Sequence, residues 1–419
     1  MGKVHMQSLR ELYRIGYGPS SSHTMGVANA AKLFTDKHRG ADRFKVILYA
    51  SLAETGKGHC TDTVLIEVLS PSPVDIVFDT ETEVSYHPNT LDIFAYKGGK
   101  LLGQNRFYST GGGAIEMEGE GKAAGEVSPY EYRTLAQIKE YCSKKGIRYY
   151  DYVYESEPGI KSYLREVWEQ MKKSIDAGLK AEGTLPGGLQ VLRQAKSLYN
   201  SHKLGESDGK KETRIVCAYA YAVAEENAAG GMIVTAPTCG ASGVLPAVLF
   251  FKYKVHETSE ERIIDALATA GLIGNLIKTN ATISGAEAGC QAEIGAACCM
   301  AAAAYAELNG YSLEQIEYAA CIAMEHHLGL TCDPVCGLVQ IPCIERNAVA
   351  ARRAKDAARL CDILSGTRVI SFDLVVETMY ETGKDLHSNY RETSKGGLAK
   401  LYRRENHKAC CDSNCVLKK

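Results

Sequence analysis

Seven of the chain's 15 cysteines fall between Thr279 and Asn347: Cys290, Cys298, Cys299, Cys321, Cys332, Cys336 and Cys343. A thiolate is both a nucleophile and a soft metal ligand, so this concentration is the first place to look for chemistry. Cys298, Cys299 and Cys321, like Cys142, Cys217 and Cys361 elsewhere, sit in alanine-rich or amphipathic helical patterns, where free cysteine serves as a small buried apolar residue. Cys290, Cys332, Cys336 and Cys343 are the metal candidates. Zinc is a poor match, because no C-x2-C pair is present and no histidine lies at finger spacing. Cys332 and Cys336 are four apart, yet Pro334 opposes the helical turn that would bring them together. Thiolates offered from separate loop and helix ends suit an iron–sulfur cluster gripped from several sides; buried thiols are the alternative reading.

Two further stretches carry reactive groups. In GPSSSHTMG, a Gly-Pro turn, Ser20, Ser21, Ser22, His23 and Thr24 stand just before the helical run VANAAKLFTDKH. Hydroxyls, free backbone N–H groups and the positive end of a helix would meet there, which is an anion site or an over-provided N-cap. GKGHCTD reads as a loop presenting His59 beside Cys60, where a histidine is a catalyst or a satisfied loop residue. YSTGGG, residues 108–113, brings flexible backbone close to a ligand. Three glycine-rich breaks (184–189, 235–246 and 279–290) are small and polar, and converge at helix ends as pocket-forming loops do.

The elements that position these groups fall into two kinds. A short amphipathic helix is expected over residues 4–17. From Phe44 the pattern turns β, in KVILYASL, TDTVLIEVLS, VDIVFD and a hairpin LDIFAYKGGKLLGQ with Gly98-Gly99 at its turn. Residues 114–130 read as a linker. Helices follow at about 130–145, 160–180, 212–229, 259–278, 344–365 and 371–383. Thr258 with Glu261, and Ser312 with Gln315, stand at capping-box spacing. The expected fold class is α+β: a small N-terminal α/β domain (1–120), a linker (121–130), a larger all-helical domain (131–400) and a cysteine-containing tail (401–419). With 419 residues, 45% apolar, 23% charged and a net charge of −2, the chain has the composition of a globular protein, with no electrostatic reason to bind nucleic acid or an anionic membrane. The uncharged run Ala228–Phe251 is long enough to span a bilayer, but two prolines, four glycines and several hydroxyls favour a buried site segment. No signal-peptide core is visible, so a cytoplasmic protein with free thiols is expected.

The motifs GPSSSHTMG, GKGH-x-TD, YSTGGG, GTLPGGL, TAPT-x-GASG, SGAEAGCQAE, MEHHLGLTCDPV, VQIPCIERNA and ETSKGGLA, in this order, give the chain a resemblance to the iron–sulfur-dependent bacterial L-serine dehydratases in their single-chain form. The resemblance runs along nearly the whole sequence. It implies a [4Fe–4S] cluster on Cys290, Cys332 and Cys343, with Cys336 a bystander. In part of the family a cysteine near the C-terminus is the fourth ligand; Cys410, Cys411 and Cys415 are available, and Cys415 is favoured. It also implies an N-terminal domain resembling a regulatory substrate-binding fold, an all-helical catalytic domain, and a homodimer.

The mechanism implied is β-elimination from L-serine, with a free cluster iron acting as Lewis acid on the hydroxyl. His59 would be the base, and Ser20, Ser21, Ser22, His23 and Thr24 would hold the carboxylate. Ser109, Gly111, Gly112 and Thr238 complete the expected substrate site. No pyridoxal phosphate is expected, since no lysine stands in a Schiff-base context. Cys239 departs from the relatives' asparagine or small residue, as a substrate contact or a space-filler. Elimination from threonine or cysteine, and a non-catalytic amino-acid sensor, are the competing readings.

Overall fold

The computed structural model describes residues 6–119, 128–364, 366 and 368–405. The linker expected over 121–130 lies largely outside these, as do Cys410, Cys411 and Cys415. The fold is α+β. A five-stranded sheet near the N-terminus is followed by a larger helical body.

The strands are β1 (Ile15–Tyr17), β2 (Arg43–Tyr49), β3 (Val74–Asp79), β4 (Thr90–Lys97), β5 (Lys100–Gly111), β6 (Ala114–Met117) and β7 (Met232–Val234). The main sheet runs β3-β2-β4-β5-β6, with β2 and β3 parallel and the other pairs antiparallel. A parallel neighbour needs a crossover, and here it consists of two short helices, Ala50–Thr55 and Thr61–Leu69. Phe44, Val46 and Leu48 alternate inward along β2 and meet Val27, Ala30, Ala31 and Phe34 of the helix Val27–Lys37. That helix repeats apolar residues at three- and four-residue spacing, so one stripe covers one sheet face.

Three expectations are corrected. TDTVLIEVLS is not a strand but the helix Thr61–Leu69. Its β-branched residues favour strand, but Thr61, Leu65 and Leu69 are buried while Ile66 is exposed, a four-residue period that tertiary packing selects. Of the helix expected over residues 4–17, the described residues 6–17 do not form one helix. A 3-10 turn, Leu9–Glu11, is followed by β1, because Arg14 N–H donates to Thr235 Oγ1 and Thr235 N–H donates to the Arg14 carbonyl. These bonds lead into antiparallel pairing of β1 with β7. Residues 114–117, read as linker, are an edge strand on β5. The hairpin at Gly98-Gly99 forms as expected.

The helical body is built around Ala296–Leu308, all thirteen of whose residues are buried. Alanine lets neighbouring helices approach closely, and Glu260–Asn280, Leu313–Glu325, Cys343–Ile363 and Val244–Val255 surround it. Ser312 and Gln315 make the expected capping box. Thr258 and Glu261 do not, because Ser259 takes the N-cap position. The uncharged run Ala228–Phe251 divides into a helix end, β7, a loop and a twelve-residue helix. No helix among the described residues is long and apolar enough to cross a membrane. Leu9, Leu12 and Tyr13, from the start of the chain, pack into this body's core.

Candidate active site

Sheet layer and helical body meet around one cavity. Pro19, Ser20 and His59 line it from the first, and from the second come Gly240, Cys290, Glu293, Ile294, Cys332, Pro334, Val339, Cys343 and Glu392. Close backbone approach makes the junction. A Cβ on Gly58 would stand 2.4 Å from the Gly337 carbonyl oxygen, so only glycine lets the His59 turn seat against the helical body.

Two helical runs open at the cavity with a π-turn, a rare widening that recurs at functional sites. The first is Ser21–Gly26, continuing as Val27–Lys37. Its Met25 N–H bonds the Ser20 carbonyl five residues back. Ser20 Oγ caps it by accepting from His23 N–H at 3.1 Å. Of the five expected anion-site residues, Ser20 lines the cavity, while the others turn inward. Ser22 Oγ meets His23 Nδ1 at 2.9 Å, Thr24 Oγ1 donates to the His59 carbonyl at 2.7 Å, and Ser21 is buried. Ser109 Oγ donates to the Ser22 carbonyl at 2.8 Å, which makes it a support for this turn rather than part of the lining. Gly111 and Gly112, at the end of β5, lie against Ile283 and Ser284 outside the lining.

His59 is 1% exposed, not a surface histidine. Its Nδ1 lies 3.0 Å from the Thr55 carbonyl oxygen. A carbonyl only accepts, so Nδ1 carries the proton and Nε2 keeps its lone pair. Burial depresses its pKa to about 4, against the lesser, opposing pull of the Thr55 hydrogen bond, so the ring is neutral near pH 7.

The second π-turn, Gln291–Gly295, follows Cys290 and continues as Ala296–Leu308. Three residues on from Cys290, Glu293 points back to the same side. Its Oε2 lies 4.0 Å from Cys290 Sγ and 3.9 Å from Cys332 Sγ, and the ligand atoms of all three lie within 4.8 Å of one another. A Cβ on Gly285 would come 2.6 Å from Glu293 Oε2, so this glycine makes the room. Thr238 Oγ1 donates to Glu293 Oε1 at 2.8 Å. Asn347 ties the third thiol in, donating to the carbonyls of Gly240 and Cys343 at 2.7 and 2.9 Å. Cys239 packs on Met25 with its sulfur 3.8 Å from Sδ, as a space-filler. Ten described cysteines are free. Cys60 and Cys336 are disulfide-bonded, contrary to the expectation of free thiols, and this removes Cys336 from the donor set.

Acid groups crowd this half. The Cys332 thiol is pushed well up by its hydrogen bond with Cys290 and then by burial. Cys343 is also raised, chiefly by burial. Burial raises the Glu293 carboxyl, and it raises that of Glu392 well above the ordinary range, with the charges of Glu293 and Cys290 adding to it. Arg346 is the nearby cation, and its charge is favoured by all three thiols against the cost of its own burial. Glu293 and Glu392 went unassigned in the sequence. Both lie inside conspicuous motifs, SGAEAGCQAE and ETSKGGLA, and the three-residue spacing from Cys290 was the available signal for the first.

A family profile described as "Serine dehydratase alpha chain" matches residues 89–399, and "Serine dehydratase beta chain" matches residues 8–72. The chain is 42% identical over 449 residues to L-serine dehydratase 1 of Escherichia coli (strain K12), covering 94% of this chain and 99% of that protein. It is 40% identical to an L-serine dehydratase of Haemophilus influenzae, covering 94% and 99% respectively. It is 40% identical to an L-serine dehydratase of Streptomyces coelicolor, covering 94% and 98%.

Proposed function

The chain belongs to the serine dehydratase family, and from that premise we propose that it converts L-serine to pyruvate and ammonia by β-elimination assisted by a [4Fe–4S] cluster. The observation that carries the reading is the convergence of Cys290, Cys332 and Cys343 on the cavity that also holds His59. The donor set fits the cluster. Three thiols and a carboxyl stand together, and beyond hydrogen bonding and burial the charges of Cys290 and Glu293 both push the Cys332 and Cys343 thiols up; a metal centre supplies positive charge there as the thiols lose their protons.

Cys290, Cys332 and Cys343 would hold the cluster, with Cys415 as a candidate fourth ligand. When bound, the cluster supplies a Lewis acid that makes the β-hydroxyl a better leaving group. His59 Nε2 takes the α-proton. The Thr55 carbonyl fixes the tautomer, Thr24 holds the His59 backbone, and burial keeps the ring neutral. Ser20 and the opening turn of the run Ser21–Lys37 receive the carboxylate, where the helix presents its positive end. Loss of the α-proton and the hydroxyl gives aminoacrylate, which tautomerises and hydrolyses to pyruvate and ammonia. No step needs pyridoxal phosphate. We place the protein in the cytosol, as a homodimer.

The test is anaerobic purification with iron and sulfide analysis, followed by pyruvate assay with L-serine, L-threonine and L-cysteine. Iron-bearing protein that forms pyruvate fastest from L-serine is expected. Iron-free protein with full activity would sink the cluster reading, and iron-bearing protein forming no pyruvate would leave a sensor.

A further inference from the structure

L-Serine offers a site four groups: carboxylate, β-hydroxyl, α-hydrogen and α-ammonium. The function proposed above, on which this inference rests, provides for the first three and leaves the ammonium without a partner. Two carboxyl side chains line the cavity, Glu293 and Glu392. Glu293 is engaged, accepting from Thr238 and lying against the sulfurs of Cys290 and Cys332.

Glu392 is not engaged. It is 6% exposed, yet among the described residues nothing donates a hydrogen bond to its carboxyl group. The group paired with it is His23, whose Nδ1 lies 3.7 Å from Oε1. That nitrogen has no proton to give. His23 Nε2 faces the Ser51 carbonyl oxygen at 3.1 Å, which only accepts. It also faces the hydroxyls of Ser51 and Thr55, whose own protons go to the Glu392 and Ser51 carbonyls. Nε2 is therefore the protonated nitrogen, and Nδ1 accepts from Ser22 Oγ.

The backbone holds this carboxyl in place at a cost. Glu392 has φ +57°, in the left-handed region that a residue with a Cβ enters under strain. Its N–H donates to the Cys332 carbonyl at 2.8 Å, and its carbonyl accepts from Ser51 Oγ at 3.0 Å. A buried acceptor pinned beside a polar cavity, with no donor of its own, is built for a cationic donor that arrives from outside. We infer that Glu392 receives the α-ammonium of the substrate, and so selects 2-amino acids over acids that lack the amine.

The test uses full-length holoenzyme and a pair of ligands that differ in the amine, L-serine and 3-hydroxypropanoate. Wild type should bind the amine-free acid, read as a competitive inhibitor, more weakly than L-serine. E392Q, which keeps the shape but cannot take up the negative charge that pairs with an ammonium, should raise KM for L-serine about 10- to 100-fold. Its kcat should stay within about threefold, and its affinity for 3-hydroxypropanoate should barely change. E392D should recover part of the KM. Iron and sulfide per chain should match wild type in both variants, which separates a binding defect from loss of the cluster.

An unchanged KM in E392Q overturns the inference while leaving the proposed reaction intact. So does equal weakening of both ligands, or wild-type affinity for 3-hydroxypropanoate equal to that for L-serine. Wild-type holoenzyme that makes no pyruvate overturns the proposed function instead.

Discussion

The two helical runs that open on π-turns, Ser21–Lys37 and Gln291–Leu308, reach the same cavity with opposite electrostatic character. The first is self-sufficient. Ser20, Ser22, His23 and Thr24 bond one another or nearby backbone, and the imidazoles are held neutral. The second brings a thiol and a carboxyl that are both raised, Cys332 by its hydrogen bond with Cys290 and by burial, Glu293 by burial. One half is complete as folded, and the other sets Arg346 as its nearby cation against three thiols and two carboxyls. A π-turn therefore sets where side chains stand, while the residues on it decide whether the site is finished by the protein or by what it binds.

The largest effects should come from breaking the unfinished half. Cys290→Ser, Cys332→Ser and Cys343→Ser should each lose bound iron and reduce pyruvate formation to background. Cys361→Ala, which removes a buried thiol remote from the cavity, should keep both at a cost of about 1 kcal/mol. Iron retained in Cys343→Ser would take that residue out of the ligand set. Next in size is the finished half. His59→Ala should lower kcat by about 10²- to 10⁴-fold, the usual worth of a general base, with iron and visible absorbance unchanged. Joint loss of iron and activity in that variant would mean the two halves are not separable as argued.

Acid stability sharpens the comparison further. His59 and His327 are both held at a pKa of about 4 by burial. An unfolded chain binds protons on these rings below about pH 6.5, but the folded one does not until about pH 4. Stability should therefore be level above 6.5 and fall as pH drops from 6.5 toward 4, by about 3 kcal/mol for each ring. Denaturant midpoints of wild type and His59→Gln between pH 7.5 and 4.5 measure this, and the variant should lose less on acidification. Equal loss in both would mean that His59 titrates normally.

Much of this was legible in the sequence because it rested on local rules. Ile160–Lys180 forms with the bounds its periodicity gave, and Ser312 with Gln315 caps as its spacing required. Cys290, Cys332 and Cys343, singled out by the resemblance and not by a local rule, line one cavity. What stayed hidden depended on long-range partners. The helix Thr61–Leu69 is made of strand-favouring residues, and only the packing of Leu65 and Leu69 into the sheet's core decides the matter. β1 exists because a segment over two hundred residues away pairs with it. Glu392 reaches the cavity through a strained turn bonded to Cys332, which no periodicity announces.

Ser109 is the smallest test and the most direct one of how the finished half is divided. The YSTGGG motif suggested that it binds substrate, but its hydroxyl donates to the Ser22 carbonyl, and it lies outside the residues that line the cavity. Ser109→Ala removes the side-chain donor to that carbonyl, a loss of about 0.5–1.5 kcal/mol. Were the role only structural, the melting temperature should fall while KM for L-serine stays within about twofold. A raised KM at unchanged melting temperature would instead move Ser109 from the scaffold to the substrate. The self-contained half would then depend on a ligand, as its partner does.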